Sequence, residues 1–396
     1  MKAMPSPTEE PAPGGSLRAN QVIAASVGHM VHDIFTAFLP PLLPLIIAEF
    51  SLSMFQAGVL NVFAVLAFYF NPLLGMLVDR VNLRLLFVAA PGLVAMCMSL
   101  IGAAPSYWAV CLLLLFTGIG SAAYHTIGPV FITRSAGSQL GRGMSFFMVG
   151  GESARTLGPL AAVGALTWLG FGHMWPLMTL GLACSLYLWS VFRRASTVGA
   201  TGRDPESLVK VWRALKGLLL PLLGLVACRS FVLWTLMIYL PVYLVGRGYS
   251  VALGGTGLAV LELAGVGGAF LGGWLSDRVG RRPVLVAVML VAPLAMLAFN
   301  YSSGWLLWPL LAVLGLSVFA SNPVILALVQ DHSAGRRGAA NGLYMGMAFA
   351  TSSGVLVLVG WLVDMLGFQT AFAIAACLGL IGTPFALRLP LSTPSE

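Results

Sequence analysis

Eight ionisable side chains stand inside stretches of this chain that are otherwise apolar. His29, His32 and Asp33 fall three and four positions apart, so on a helix they share one face. His125 stands alone in a later apolar stretch, and Glu152 and Arg155 lie three apart in the next. Arg229 and Glu262 follow in two further stretches. At the centre of a bilayer a charged side chain costs about 2.5–3.5 kcal/mol on insertion scales, so each needs a reason to be there. A carboxylate in such a place can carry a proton, and a guanidinium can neutralise it or hold an anion. An anion competing for that guanidinium would alter the carboxylate's proton affinity. The bland alternative is a set of satisfied helix–helix contacts, with histidine as interhelical glue. Imidazole plus carboxylate also suits zinc or ferrous iron, so His29, His32, Asp33 and His125 admit a reading as a transition-metal site. No second cluster marks an exit path and no Cys or Met ligand stands at a matching position, so no metal ligand is assigned.

The elements that must position these groups are apolar helices. Of 396 residues, 59% are hydrophobic and 9% charged, far below the roughly 25% charged of a soluble domain. Runs long enough to cross a bilayer recur at 22–47, 55–78, 85–104, 107–131, 143–168, 173–192, 217–245, 252–275, 283–301, 304–328, 339–363 and 368–388. The division expected is a tail at 1–20, a six-helix unit at 21–192, a polar linker at 193–216 holding Arg203, Asp204, Pro205 and Glu206, a second six-helix unit at 217–390 and a tail at 391–396. In this scheme the basic loop residues, including Arg80, Arg84, Arg134, Arg142, Arg278, Arg281, Arg282 and Arg388, fall on one side, and only Arg247 falls in a loop on the other. That asymmetry places both termini in the cytoplasm and explains the net charge of +8 without nucleic acid. Cys97, Cys111, Cys184, Cys228 and Cys377 are scattered through the spans and read as packing residues.

One charged signature occurs twice, 198 positions apart: Gly75-Met-Leu-Val-Asp79-Arg80-Val-Asn-Leu-Arg84 and Gly273-Trp-Leu-Ser-Asp277-Arg278-Val-Gly280-Arg281-Arg282. The same offset relates Ser135-Ala136-Gly137 to Ser333-Ala334-Gly335. Twin halves in so apolar a chain point to a membrane transporter built by duplication. The glycine would allow a neighbouring helix close, and the aspartate would pair with arginines or a helix N-terminus, as a latch released when the halves rock. Pro40, Pro41 and Pro44 in the first span and Pro241 in the seventh occupy corresponding places, a pattern of bent helices at a gate.

The signature resembles the hallmark loop of the major facilitator superfamily. The second copy matches fully; the first departs at Asn82 and Leu83. The resemblance implies an all-α membrane fold, twelve transmembrane helices in two pseudo-symmetric six-helix bundles around a cavity. Gly28-His29 with Asp33 and Leu39-Pro40, Gly118-Ile-Gly120-Ser121 with His125, Val149-Gly150-Gly151 with Leu157-Gly158-Pro159, and Arg229-Ser230 with Leu240-Pro241-Val-Tyr243-Leu are similar to the fosmidomycin-resistance-type exporters. Thr126-Ile127 after His125, Glu152 and Arg155 depart from that subgroup, so its drug substrate is not carried over. In such an architecture the first, fourth, fifth, seventh and eighth helices border the cavity. It would then hold Asp33, Glu152, His29 and His125 as proton-coupling groups and His32, Arg155, Arg229 and Glu262 as substrate-binding groups. The function expected is proton-coupled efflux of a small organic anion or amphipathic compound by a monomer in a bacterial inner membrane. No cofactor is expected beyond the proton gradient. An uptake symporter for an organic acid or metabolite would use the same residues, a transition-metal transporter would use the His/Asp cluster, and a membrane enzyme would leave the repeat unexplained.

Overall fold

The computed structural model describes residues 18–78, 80–196, 208–332 and 337–390. Helices form because backbone amides in lipid have no partner but each other. The first membrane segment is α1 (Ala19–Thr36) and α2 (Leu39–Phe50), broken where Pro40 and Pro41 restart the helix. The second is α3 (Met54–Val65), a 3-10 stretch over Leu66–Phe70 and α4 (Asn71–Val78). Then come α5 (Arg84–Ser99), α6 (Tyr107–Ala136), α7 (Leu140–Leu169) and α8 (Met178–Phe192). The second half comprises α9 (Leu208–Gly246), α10 (Val251–Val279), α11 (Arg281–Tyr301), α12 (Leu307–Asp331), α13 (Arg337–Leu366) and a last segment of α14 (Phe368–Leu380) and α15 (Gly382–Leu387). Among the described residues, nine segments are long and apolar enough to cross a membrane, and two shorter apolar ones cover Met54–Phe70 and Arg84–Ser99. The remaining segment is α7, which carries Glu152 and Arg155.

Two expectations shift in detail. The seventh segment begins at Leu208, inside the stretch read as linker. Pro241 does not break it: α9 runs through both Pro221 and Pro241. The bent-helix symmetry therefore holds in the first half only, where two successive prolines remove two adjacent donors. Ser135-Ala136-Gly137 closes α6, whereas Ser333-Ala334-Gly335 lies outside the described residues. Cys97, Cys111 and Cys184 are buried, but Cys377 is exposed.

Packing repeats with the sequence. In the first half α1 packs on α7, α3 on α6 and α5 on α8; in the second, α9 packs on α13, α10 on α12 and α11 on α14. Ser53 and Ser250, each just before the second segment of its half, cap α3 and α10 by accepting the amides of Gln56 (3.1 Å) and Leu253 (3.1 Å). The halves meet along α3–α13, α7–α10 and α2–α9. These seams are tight toward the face opposite the basic loops. There Gly58 of α3 sits against the Leu356 carbonyl, Gly360 of α13 against the Met54 carbonyl, and Gly255 of α10 against Val163. Tyr239 donates to the carbonyls of Leu356 (2.9 Å) and Met54 (3.2 Å), and Asp364 accepts the amides of Met54 (2.7 Å) and Phe55 (2.8 Å). Nearer mid-depth Tyr69 donates to Ser353 (3.0 Å), and Phe68 stacks on Phe349. Toward the basic loops the same seams part: Gly75, Gly141 and Gly346 have open space where a side chain would stand. The molecule is closed at one face and open at the other.

Candidate functional site

Five helices bring the expected residues to mid-depth of the first half and across the central seam. On α1, His29 and His32 are buried and Asp33 is 13% exposed at its side chain. Their i, i+3 and i, i+4 spacing gathers them on one face, as expected, and α6 adds His125 from across the bundle. His32 Nδ1 lies 2.6 Å from Asp33 Oδ1 and holds that oxygen. Asp33 Oδ2 turns the other way, 3.2 Å from His29 Nε2 and 3.6 Å from His125 Nε2. The two Nε2 atoms are 3.3 Å apart. Each ring is fixed from behind. His29 Nδ1 donates to the Phe147 carbonyl (2.8 Å) and His125 Nδ1 to the Ser121 carbonyl (2.9 Å), which assigns the tautomer of both. Tyr124 walls the cluster: its ring stacks on His32 at 5.1 Å and its hydroxyl donates to the Ala25 carbonyl (2.7 Å). Gly28 and Gly151 let this close. A Cβ on Gly28 would strike the Tyr124 hydroxyl, and one on Gly151 would meet His29 Nε2 at 2.8 Å.

The fifth segment supplies the link between halves. Arg155 reaches Glu152 at 3.7 Å along its own helix, but it approaches Glu262 of α10 more closely, 3.2 Å from Nε to Oε2. Its guanidinium also lies 4.8 Å over the Phe319 ring of α12. Glu262 is buried, whereas Glu152 is 43% exposed at its side chain. The spacing of Glu152 and Arg155 pointed to a pair within one helix; the structure makes Arg155 chiefly a partner of the opposite half.

Arg229 on α9 is 5% exposed, and its hydrogen bond runs to the Asn322 carboxamide of α12. Its Nε is buried with no hydrogen-bond partner among the described residues. No carboxylate stands within ion-pair distance of it among the described residues, and Arg155 lies within electrostatic reach. A buried guanidinium bonded to a neutral carboxamide keeps its full positive charge.

The paired loop signature is resolved in its second copy. Arg281 bonds Asp277 and Ser276 and reaches Asp331 at 3.3 Å, while Arg278 stacks on Trp274. Arg282 is half-buried in the first turn of α11. In the first copy Asp79 lies outside the described residues; Arg84 stands 4.9 Å over the Trp189 ring and Arg80 is exposed. Neither glycine is pressed by a neighbouring helix, against expectation: Gly75 faces open space, and the nearest atom to a Cβ on Gly273 would be Pro323 Cβ at 3.9 Å.

Sequence reasoning missed Asn322, Tyr124, Tyr239 and Asp364. Asp364 carried a signal, a lone carboxylate near the end of an apolar span; the others carried none, because polar uncharged residues are common in such helices.

Comparison with known proteins agrees with this architecture. The description "Major Facilitator Superfamily" matches residues 25–356 and again 262–396. An uncharacterized MFS-type transporter of Bacillus subtilis, YfnC, is 27% identical over 93% of this chain and 92% of its own. The fosmidomycin resistance protein of Escherichia coli is 26% identical over 91% and 90%. Among solved structures, a bacterial homolog of the human lysosomal transporter Spinster, inward-facing and occupied, superposes with a TM-score of 0.77 at 16% identity, covering 94% of this chain and 97% of that one. A variant of the nucleoside transporter NupG gives 0.76 at 12% identity, covering 94% and 100%. Matched along nearly its whole length, and with the two-bundle packing that the repeat foretold, the chain belongs to the Major Facilitator Superfamily and is a membrane transporter.

Proposed function

We propose that this transporter is proton-coupled and exports a small organic anion or amphipathic compound by antiport across a bacterial inner membrane. The observation that carries the reading is the Arg155–Glu262 pair, one charge from each half, joined at mid-depth where the halves must separate. Arg155 in turn lies within electrostatic reach of Glu152 on α7, of Arg229 on α9 and of Asp33, which His125 approaches at 3.6 Å. A proton on Glu262 removes its hold on Arg155, and an anion seated between Arg229 and Arg155 draws the guanidinium away. Either ligand alone unfastens the halves, so the two serve alternate half-cycles of one switch. The basic loops lie toward the open face, which supports reading that face as cytoplasmic, the state as inward-open and both termini as cytoplasmic. Export is favoured by likeness to a fosmidomycin resistance protein. The cycle uses no cofactor beyond the proton gradient, and the charged groups it invokes all come from one chain, so a monomer suffices.

One observation favours uptake by symport instead. Glu262 is buried, so an anion that takes Arg155 from it leaves a bare carboxylate that would collect a proton with the cargo. Proton counting separates the two. Purified protein in weak buffer with a pH dye is mixed with fosmidomycin, then with any compound that raises its melting temperature. Proton release on binding supports antiport, and proton uptake supports symport. Silence from a ligand that clearly binds would remove proton coupling altogether.

A further inference from the structure

Three side-chain atoms from α1 and α6 converge in the first half. His29 and His125 have committed their Nδ1 hydrogens to the carbonyls of Phe147 and Ser121, and His32 occupies Asp33 Oδ1. What remains, His29 Nε2, His125 Nε2 and Asp33 Oδ2, stand 3.2, 3.3 and 3.6 Å from one another. With both imidazoles neutral these are three lone pairs facing one another, an arrangement that a proton or a metal cation within it relieves. A tetrahedral ion with bonds of about 2.0–2.1 Å holds its ligand atoms roughly 3.3–3.4 Å apart, which is the spacing found. The surroundings are those of a metal site. Each imidazole is oriented by a backbone acceptor, and the carboxylate is oriented by a third imidazole through its other oxygen. All three ligands come from α1 and α6, so the site is complete within one half and does not depend on how the halves are placed. Asp33 is mostly enclosed, but the His125 side chain is 36% exposed, so the fourth coordination position opens toward the cavity.

We infer that His29, Asp33 and His125 form a binding site for one zinc-class divalent cation, with a fourth position left to water or to an anionic donor from the cavity. Two imidazoles and one carboxylate select this class over calcium or magnesium, which take oxygen ligands. The inference does not rest on the transport reading, because binding is measured on the purified protein without flux.

Cobalt(II) serves as the probe, since its visible absorption distinguishes tetrahedral from octahedral surroundings. Tag-free protein titrated with cobalt chloride is expected to give an intense blue absorption saturating at one ion per chain and bleached by zinc. Asp33→Asn and His125→Gln are expected to lower the affinity at least tenfold. Gly151→Ala, which pushes a methyl into the His29 ring, is expected to do the same while leaving all ligands in place. The protein has two other histidines, so the double variant His173→Ala, His332→Ala is the control and should bind as the parent does. A pale octahedral spectrum, a stoichiometry that never saturates, or signal lost only in the control would overturn the site. So would a blue complex in a well-folded His125→Gln protein at parental affinity. In each of those cases the converging lone pairs hold a proton only.

Discussion

Arg229 and Glu262 are buried charges with opposite circumstances, and each makes its own prediction. Glu262 is paired and Arg229 faces only a carboxamide. Arg229→Ala should weaken binding of an anionic ligand at least tenfold, a loss of about 1.4 kcal/mol, measured by thermal shift or calorimetry. Arg229→Lys should recover part of it, because the charge remains and the planar fork does not. Unchanged affinity in Arg229→Ala would place the anion elsewhere. Glu262→Gln should leave exchange of cargo across proteoliposomes intact but make it indifferent to an imposed pH gradient. Persistent gradient-driven accumulation in that variant would move the proton to another group. Asp33→Asn should abolish transport in protein that still elutes as a single species. These residues were legible because a charge in an apolar run is conspicuous. What the sequence did not tell was partnership. Glu152 is the near neighbour of Arg155 by helical spacing, yet Glu262, 107 positions on, is closer in space. Distance between helices of different halves is set by packing, which no local pattern encodes.

Among elements, the seam between α3 and α13 is a hinge-side contact built from small residues. Gly58 and Gly360 bring backbones together, Tyr239 bridges both, and Asp364 caps α3. Gly360→Leu should wedge the closed face open, and a cysteine in place of Met54 should then react with a membrane-impermeant thiol reagent from outside cells. Protection equal to that in the parent background would show that the seam can absorb the added volume. Segment positions were read well from sequence, since hydropathy and prolines mark them, and the break before α2 follows from Pro40 and Pro41. Pro241 misled by symmetry. One missing donor in a long helix is tolerated where neighbours pack around it, and α9 passes through.

At the scale of the molecule, the halves are closed at one face and parted at the other, and the proposed cycle requires them to rock. Spin labels at Leu77 on α4 and Met345 on α13, both at the open end, should move closer by several ångströms when the protein turns outward. A distance distribution that ignores both pH and ligand would mean the halves do not rock about this axis. The two-bundle plan was visible early because duplication copies a whole pattern, loops included. Which end is open could not be read, since the same sequence must fit both states.

The clasp formed by Asp364 has no twin. It satisfies two of the free amides at the start of α3, whereas the position 198 residues earlier is Leu166, which has nothing to offer Val251 at the start of α10. One side of the outer door thus has a bolt and the other does not. The unbolted α7–α10 edge should therefore yield first, and amide hydrogen exchange at Val251 should outpace that at Met54. If so, cargo leaves by a side exit, and a molecule whose two halves look interchangeable has a left and a right.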